Sequence, residues 1–172
     1  PDQPKIKLSV KTDGSPECYA IDSERALFYT NLEDKNRVVA IDMNAHVVKT
    51  SWQLGCDAHG PRGVAVDHVR NFVFVACADH IEVLDGNHNG ALLGKLDAGA
   101  GVDAIEYVDD AKRLYVAAAK DARLTVAALS DAGVPSVVAT GETAHGARNA
   151  VVDSNGVAYV VDPTTARLLA LR

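Results

Sequence analysis

Pro61-Arg62-Gly63-Val64-Ala65-Val66-Asp67, Phe72-Val73-Phe74-Val75-Ala76-Cys77 and His80-Ile81-Glu82-Val83-Leu84-Asp85 are three short apolar runs separated by turn-length gaps. A Gly opens the first, Asp closes the first and third, and an aromatic sits inside the second. The same order occurs in three other places. It runs through Ser15–Asp22, Leu27–Asn31 and Arg37–Asp42, then Val102–Val108, Arg113–Ala117 and Arg123–Leu129, then Ala147–Asp153, Val157–Val161 and Arg167–Leu171. The equivalent aromatics Tyr29, Phe74, Tyr115 and Tyr159 are spaced 45, 41 and 44 residues apart, a period that marks a repeat architecture.

Each run has the character of a strand. In Arg37–Ile41 and His80–Leu84 apolar side chains follow the two-residue period of a pleated backbone. Asp42-Met43-Asn44, Asp85-Gly86-Asn87, Asn89-Gly90 and Ser154-Asn155-Gly156 are turn chemistry, and no window makes an amphipathic helix of ten or more residues. A generic β-sandwich also has regular short strands, but it would not put the same residue types at the same point of each repeat. The expectation is an all-β propeller, residues 1–172 forming one domain with blades near 15–54, 61–96, 102–140 and 147–172. Ile6–Lys11 resembles the outer strands Thr50–Leu54, Leu92–Leu96 and Val137–Thr140, and the last repeat has no outer strand of its own. Pairing 6–11 with the last blade would give four four-stranded blades in a closed ring and remove exposed edges. Two alternatives stay open: the chain is part of a larger ring, or two copies join into one.

Hydrophobic residues make up 48% of the chain and aromatics 5%, so the core must be built mainly of Val, Ala, Leu and Ile. A net charge of −6 with no basic run gives nothing for phosphate neutralisation and speaks against nucleic acid. No apolar stretch approaches the ~20 residues needed to cross a bilayer.

The second strands Leu27-Phe28-Tyr29-Thr30-Asn31, Phe74-Val75-Ala76-Cys77 and Leu114-Tyr115-Val116-Ala117 resemble the Tyr-Val-Thr-Asn signature of YVTN-family propellers. Asn31–Lys35, Val38–Asp42, Trp52 and Gly99–Ala104 extend the likeness to the C-terminal half of bacterial members, over nearly the whole chain. The resemblance implies seven or eight blades in the complete ring and frequent export. It implies no single activity, since known roles range from surface binding to parts of redox enzymes.

Two loops, Ala58-His59-Gly60-Pro61-Arg62 and Ala144-His145-Gly146-Ala147-Arg148, occupy equivalent positions in alternate blades. The other two read Asp13-Gly14-Ser15-Pro16-Glu17 and Ala100-Gly101-Val102-Asp103. All four lead into innermost strands and gather at one mouth of the central channel. Glu17, Arg62, Asp103 and Arg148 alternate in sign around it, a pattern expected of an inter-blade charge ring that holds register. The sharper reading is an anion or metal site with His59, His145 and Asp13 as ligands. Cys56 and Cys77 end on the same face, and a disulfide there would close residues 56–77 and imply an oxidising compartment. Cys18 stands where the second repeat has Gly63 and is expected to be buried. His46, His68, His80 and His88 read as solvated, Trp52 as packing, and Asn31, Glu33, Asp34 and Lys35 as a polar blade tip. Asp109-Asp110 reads as a turn.

No spacing of acids or nucleophiles suits catalysis, and nothing calls for a cofactor. The preferred expectation is a non-enzymatic binding or scaffold module, periplasmic or secreted, monomeric or homodimeric, presenting a propeller face or the channel mouth to a small molecule or protein. Alternatives are a lactonase-like hydrolase using a divalent metal at the mouth, and a half-ring that assembles with itself.

Overall fold

The computed structural model describes residues 4–172 and contains fifteen strands with two single-turn 3₁₀ segments. Strands β1 (Pro16–Asp22), β2 (Leu27–Leu32), β3 (Arg37–Asp42) and β4 (Val47–Gln53) form the first antiparallel sheet in chain order. The second is β5 (Val64–Asp67), β6 (Phe72–Ala76), β7 (His80–Asp85) and β8 (Ala91–Asp97). The third is β9 (Val102–Val108), β10 (Arg113–Ala118), β11 (Arg123–Leu129) and β12 (Pro135–Glu142). The fourth has three strands, β13 (Ala150–Val152), β14 (Ala158–Asp162) and β15 (Arg167–Leu171). Each complete sheet carries a bulge where the third strand meets the fourth: Ala40/Ile41, Val83/Leu84 and Val126/Ala127. An added residue there sharpens the twist of the outer strand.

The continuous apolar runs in the second strands follow from sheets buried on both faces. In β6, Val73 and Val75 turn toward the first sheet and share a core with Leu27, Tyr29, Val38, Ala40 and Trp52. Phe72, Phe74 and Ala76 turn the other way, against Leu114, Val116 and Ala118 of the third sheet. Across the next interface Tyr115, Ala117 and Leu124 meet Ala150, Ala158 and Val160 of the fourth. The innermost strands line up in the same succession, β1 beside β5, β5 beside β9 and β9 beside β13. This is a β-propeller arrangement of four radial sheets.

The ends do not meet as the strand count predicts. Residues 6–11 form no strand, and among the described residues no packing of the inter-sheet kind joins the first sheet to the fourth. Leu8 and Val10 lie instead beside Phe28 and Ile41, over the outer face of the first sheet. The physical reason lies in the segment's own side chains: Leu8 and Val10 cover apolar surface that Phe28 and Ile41 present on the first sheet, in place of pairing with the last strand. The four sheets form an arc.

Candidate functional site

The loops leading into the innermost strands converge on one side of the arc around a cavity of about 480 Å3. Its walls include Glu17 from the first blade, His59 and Arg62 from the second, Asp103 and Lys120 from the third, and Arg148 from the fourth. Asp13 and His145 are not among its lining residues. Asp13 pairs instead with Arg37 at 3.6 Å, and the His145 carbonyl accepts from the Thr164 hydroxyl at 3.2 Å.

Backbone bonds from blade to blade hold the cavity walls. The amides of Gly101 and Val102 donate to the Ala78 carbonyl at 2.8 and 3.2 Å, and that of Gly146 donates to Ala119 at 2.9 Å. At the first junction a side chain serves. The Asn31 amide group donates to the carbonyls of Arg62 at 2.7 Å and Gly63 at 3.0 Å. Asn31 is fully buried and is thus not the solvated tip residue that its polar neighbours suggest: it ties β2 to the next blade's innermost strand. Gly63 is required by close approach, since a Cβ there would lie 2.5 Å from the Asp103 carbonyl oxygen.

Charges at the mouth pair across blades. Arg62 reaches Glu17 at 3.5 Å and also bonds Glu33, while Arg148 Nε stands 3.2 Å from Asp103. Burial pushes the Glu17 carboxyl above its ordinary range, and the neighbouring Glu33 adds to this; Arg62 opposes both. Arg62 is therefore occupied by two carboxylates. Arg148 holds one carboxylate through Nε and leaves its exposed guanidinium end free to donate. Lys120 adds an ammonium on the same wall. The arrangement suits a small polar ligand with an anionic group, with Glu17 and Asp103 available to accept from hydroxyls.

The donor set does not suit a metal. Among the described residues no group of three or more His, Cys, Asp or Glu side chains is placed to hold an ion, and the cations beside Glu17 and Asp103 would oppose one.

Cys56 and Cys77 have their sulfurs at bonding distance and Cα atoms 5.2 Å apart, joining the loop before β5 to the end of β6. Cys18 is exposed, not buried. It sits in a bulge between Glu17 and Ala20 with φ 54°, which turns its side chain out of the register that Gly63 occupies in the second blade.

The opposite mouth carries staples that the sequence reading missed. Arg25 donates to Asp22 at 2.9 Å and to the next blade's His68 carbonyl at 2.7 Å. One blade on, Asp67 binds Arg70 at 2.6 Å and Tyr107 of the next blade at 2.7 Å, and Arg70 reaches the Ser130 carbonyl at 2.8 Å. The signal was available: Asp-x-x-Arg occurs at 22–25 and again at 67–70, one repeat period apart. The histidines expected to be solvated also take partners, except His46. His68 lies 3.9 Å from both Asp22 and Asp109, His80 is 2.7 Å from Asp79, and His88 is 2.6 Å from Asp85.

No family model and no curated protein matches the chain. Solved structures do. One is hydrazine synthase of Kuenenia stuttgartiensis, at 16% identity and a TM-score of 0.72, with 97% of this chain aligned to 56% of that one. A chain of a mitotic checkpoint complex aligns at 13% identity with a TM-score of 0.77, covering 94% here and 50% there. A candidate 6-phosphogluconolactonase from Bacteroides uniformis aligns at 15% identity with a TM-score of 0.72, covering 91% and 53%. The likeness is one of fold. The chain spans about half the length of each of these three structures.

Proposed function

We propose that this protein is a binding module of the YVTN-repeat type whose channel mouth takes a small polar molecule carrying an anionic group. The observation that carries the reading is the convergence of Lys120 and the free end of Arg148 on one cavity that also presents Glu17 and Asp103. Free donors recognise a carboxylate or phosphate, and flanking carboxylates recognise hydroxyls, so an anionic polyol fits both. The mouth has no spare nucleophile–base pair and no metal-ligand cluster among the described residues, so the lactonase-like alternative has less to support it, despite the printed name of one structural neighbour. Sulfurs at bonding distance in Cys56 and Cys77 support an oxidising location, periplasmic or secreted.

Isothermal titration with gluconate, citrate and inorganic phosphate tests the reading. Saturable binding by at least one, weakened tenfold or more in Arg148→Ala and in Lys120→Ala, is the expected result. Equal affinity in wild type and both variants, or no saturation by any of the three, would overturn it.

A further inference from the structure

The first two junctions of the arc share a register but not their side chains. Both join complete four-stranded sheets. Leu27 holds the place of Phe72 and Ala40 that of Val83, because each stands at the same step of its ladder. From the facing blade, Val66 holds the place of Tyr107. Phe72, Val83 and Tyr107 pack into the second junction, and the first has a smaller residue at each of these three points. Thr50 and Trp52 are larger than their counterparts Gly94 and Leu96. Both lie on the outermost strand, however, and wall the space on that side. A cavity of about 660 Å3 results, beside the Arg25 staple and away from the channel mouth.

Its charge is the second departure. The residue at the β4 bulge is Lys49, and at the same point of β8 stands Leu93. Leu93 packs so closely on Gly133 that a Cβ there would collide with it. At the first junction an ammonium thus replaces a packed apolar side chain. Lys49 joins none of the lysine ion pairs among the described residues. Nearby Asp42 accepts instead from the amides of Asn44 and Ala45, at 2.9 and 2.8 Å. Arg25 uses Nη1 for Asp22 and the His68 carbonyl, and its Nε and Nη2 make no hydrogen bond among the described residues. No Asp or Glu lines the cavity. Asp22 neutralises Arg25, so the uncompensated charge is that of Lys49.

The rest of the wall is apolar and held in place. Leu27, Tyr29, Ala40 and Trp52 supply the apolar surface. Gly90, at φ 71°, lies directly on the indole, where a Cβ would collide with Trp52. Trp52 Nε1 donates to Asn89 at 3.3 Å, and the Asn71 amide group donates to Asn87 at 2.9 Å. The Tyr29 hydroxyl is the loose member. Tyr29 is 1% exposed, and the hydroxyl's one bond, to Asn71 Oδ1, is 3.5 Å long, at the limit of a hydrogen bond.

We infer that this cavity is a second ligand site, for a small organic carboxylate with an apolar body. The carboxylate would sit between Lys49 and the unused side of the Arg25 guanidinium, within reach of the Tyr29 hydroxyl. An aryl or short alkyl group would lie against Leu27, Ala40 and Trp52. A single uncompensated cation matches a monoanion. The lack of carboxylates in the wall separates this site from the channel mouth, where Glu17 and Asp103 favour hydroxyls.

Trp52 is the only tryptophan of the chain and forms part of the wall, so its emission reports on this cavity. Titration with benzoate and with hexanoate should give a saturable change in that emission. Benzamide, of the same shape as benzoate but neutral, should bind at least tenfold more weakly. Lys49→Leu changes an exposed side chain to the type found at Leu93. It should keep the wild-type circular dichroism and raise the dissociation constant for benzoate at least tenfold. Leu27→Phe, which imports the filling residue of the second junction, should abolish the response. Arg148→Ala should bind benzoate as wild type does. No saturable change with either carboxylate would overturn the inference, as would equal affinity for benzamide or in Lys49→Leu. Loss of the response in Arg148→Ala would place the carboxylate at the channel mouth and overturn it too.

Discussion

Replacing Asp67 by Ala should remove about 3 kcal/mol of stability. The carboxylate is 2% exposed. It accepts from Arg70 Nε at 2.6 Å, from Tyr107 Oη at 2.7 Å and from the amides of Val69 and Arg70 at 3.0 and 2.8 Å. Truncation leaves the Arg70 guanidinium, whose side chain is 14% exposed, without its counter-charge. Breaking such a pair from one side costs about 3–5 kcal/mol. The lower figure applies because Arg70 keeps its bonds to the Ser130 carbonyl and the Tyr107 hydroxyl. Tyr107→Phe, which removes the hydroxyl's bond to Asp67 and the one it accepts from Arg70 at 2.7 Å, should cost about 3 kcal/mol. Burial alone would raise the Asp67 carboxyl, but the Arg70 amide, the Tyr107 hydroxyl and the Arg70 guanidinium outweigh it and hold it below the ordinary range. The contribution is thus fully present above the unfolded value near 4 and lost only as pH falls through the lower folded one. Urea unfolding of wild type and Asp67→Ala from pH 7 to pH 3 measures both. A gap under about 1 kcal/mol at pH 7 would refute the buried-clamp account. So would a gap that closes between pH 7 and 5, well above the unfolded carboxyl value.

Glu106 is the opposite case: burial raises its carboxyl, against a weaker bond from the Val152 amide. Its folded form holds the proton more tightly, so the wild type loses stability as pH rises from the unfolded value through the folded one. Glu106→Gln should therefore melt higher than wild type at pH 7, by less than about 5 °C, and equally at pH 3.5. Thiol titration of unfolded, unreduced protein should find one reactive cysteine, Cys18, and three after reduction; three before reduction would exclude the Cys56–Cys77 bond. Opening that bond, which spans a sequence separation of 21, should lower stability by about 3 kcal/mol in the loop-entropy picture.

The blades were legible in the sequence because burial on both faces writes an uninterrupted apolar run, and Phe72–Cys77 could not be a half-solvated strand. The mouth was legible for a different reason. Glu17, Arg62, Asp103 and Arg148 sit at one repeat position, and a repeat turns equal position into spatial proximity. His145 occupies the same loop position as His59 yet is not among the cavity's lining residues, and a shared repeat position did not tell the two apart. Asn31 was misread for the reverse reason. A polar residue among Glu33, Asp34 and Lys35 looks solvated, and only coordinates show that it faces two carbonyls of the next blade. Ring closure was beyond a strand count. Sixteen strand-like segments give four blades' worth of backbone, but the alternation of Ile6, Leu8 and Val10 does not say which apolar surface they cover, and Leu8 and Val10 lie by Phe28 and Ile41 of the first sheet.

In an arc the interfaces are nearest-neighbour terms, and the blades do not share them equally. The second and third blades each have two junctions. The first and fourth have one, and the fourth has the shortest innermost strand, β13 with three residues, and an unpaired edge at β15. Arg148, the donor that leaves its guanidinium end free at the mouth, comes just before β13 on this least supported sheet. A ligand anion held between Arg148 and Lys120 would tie the fourth blade to the third from the channel side. Binding there would favour the ordered fourth blade over its frayed forms.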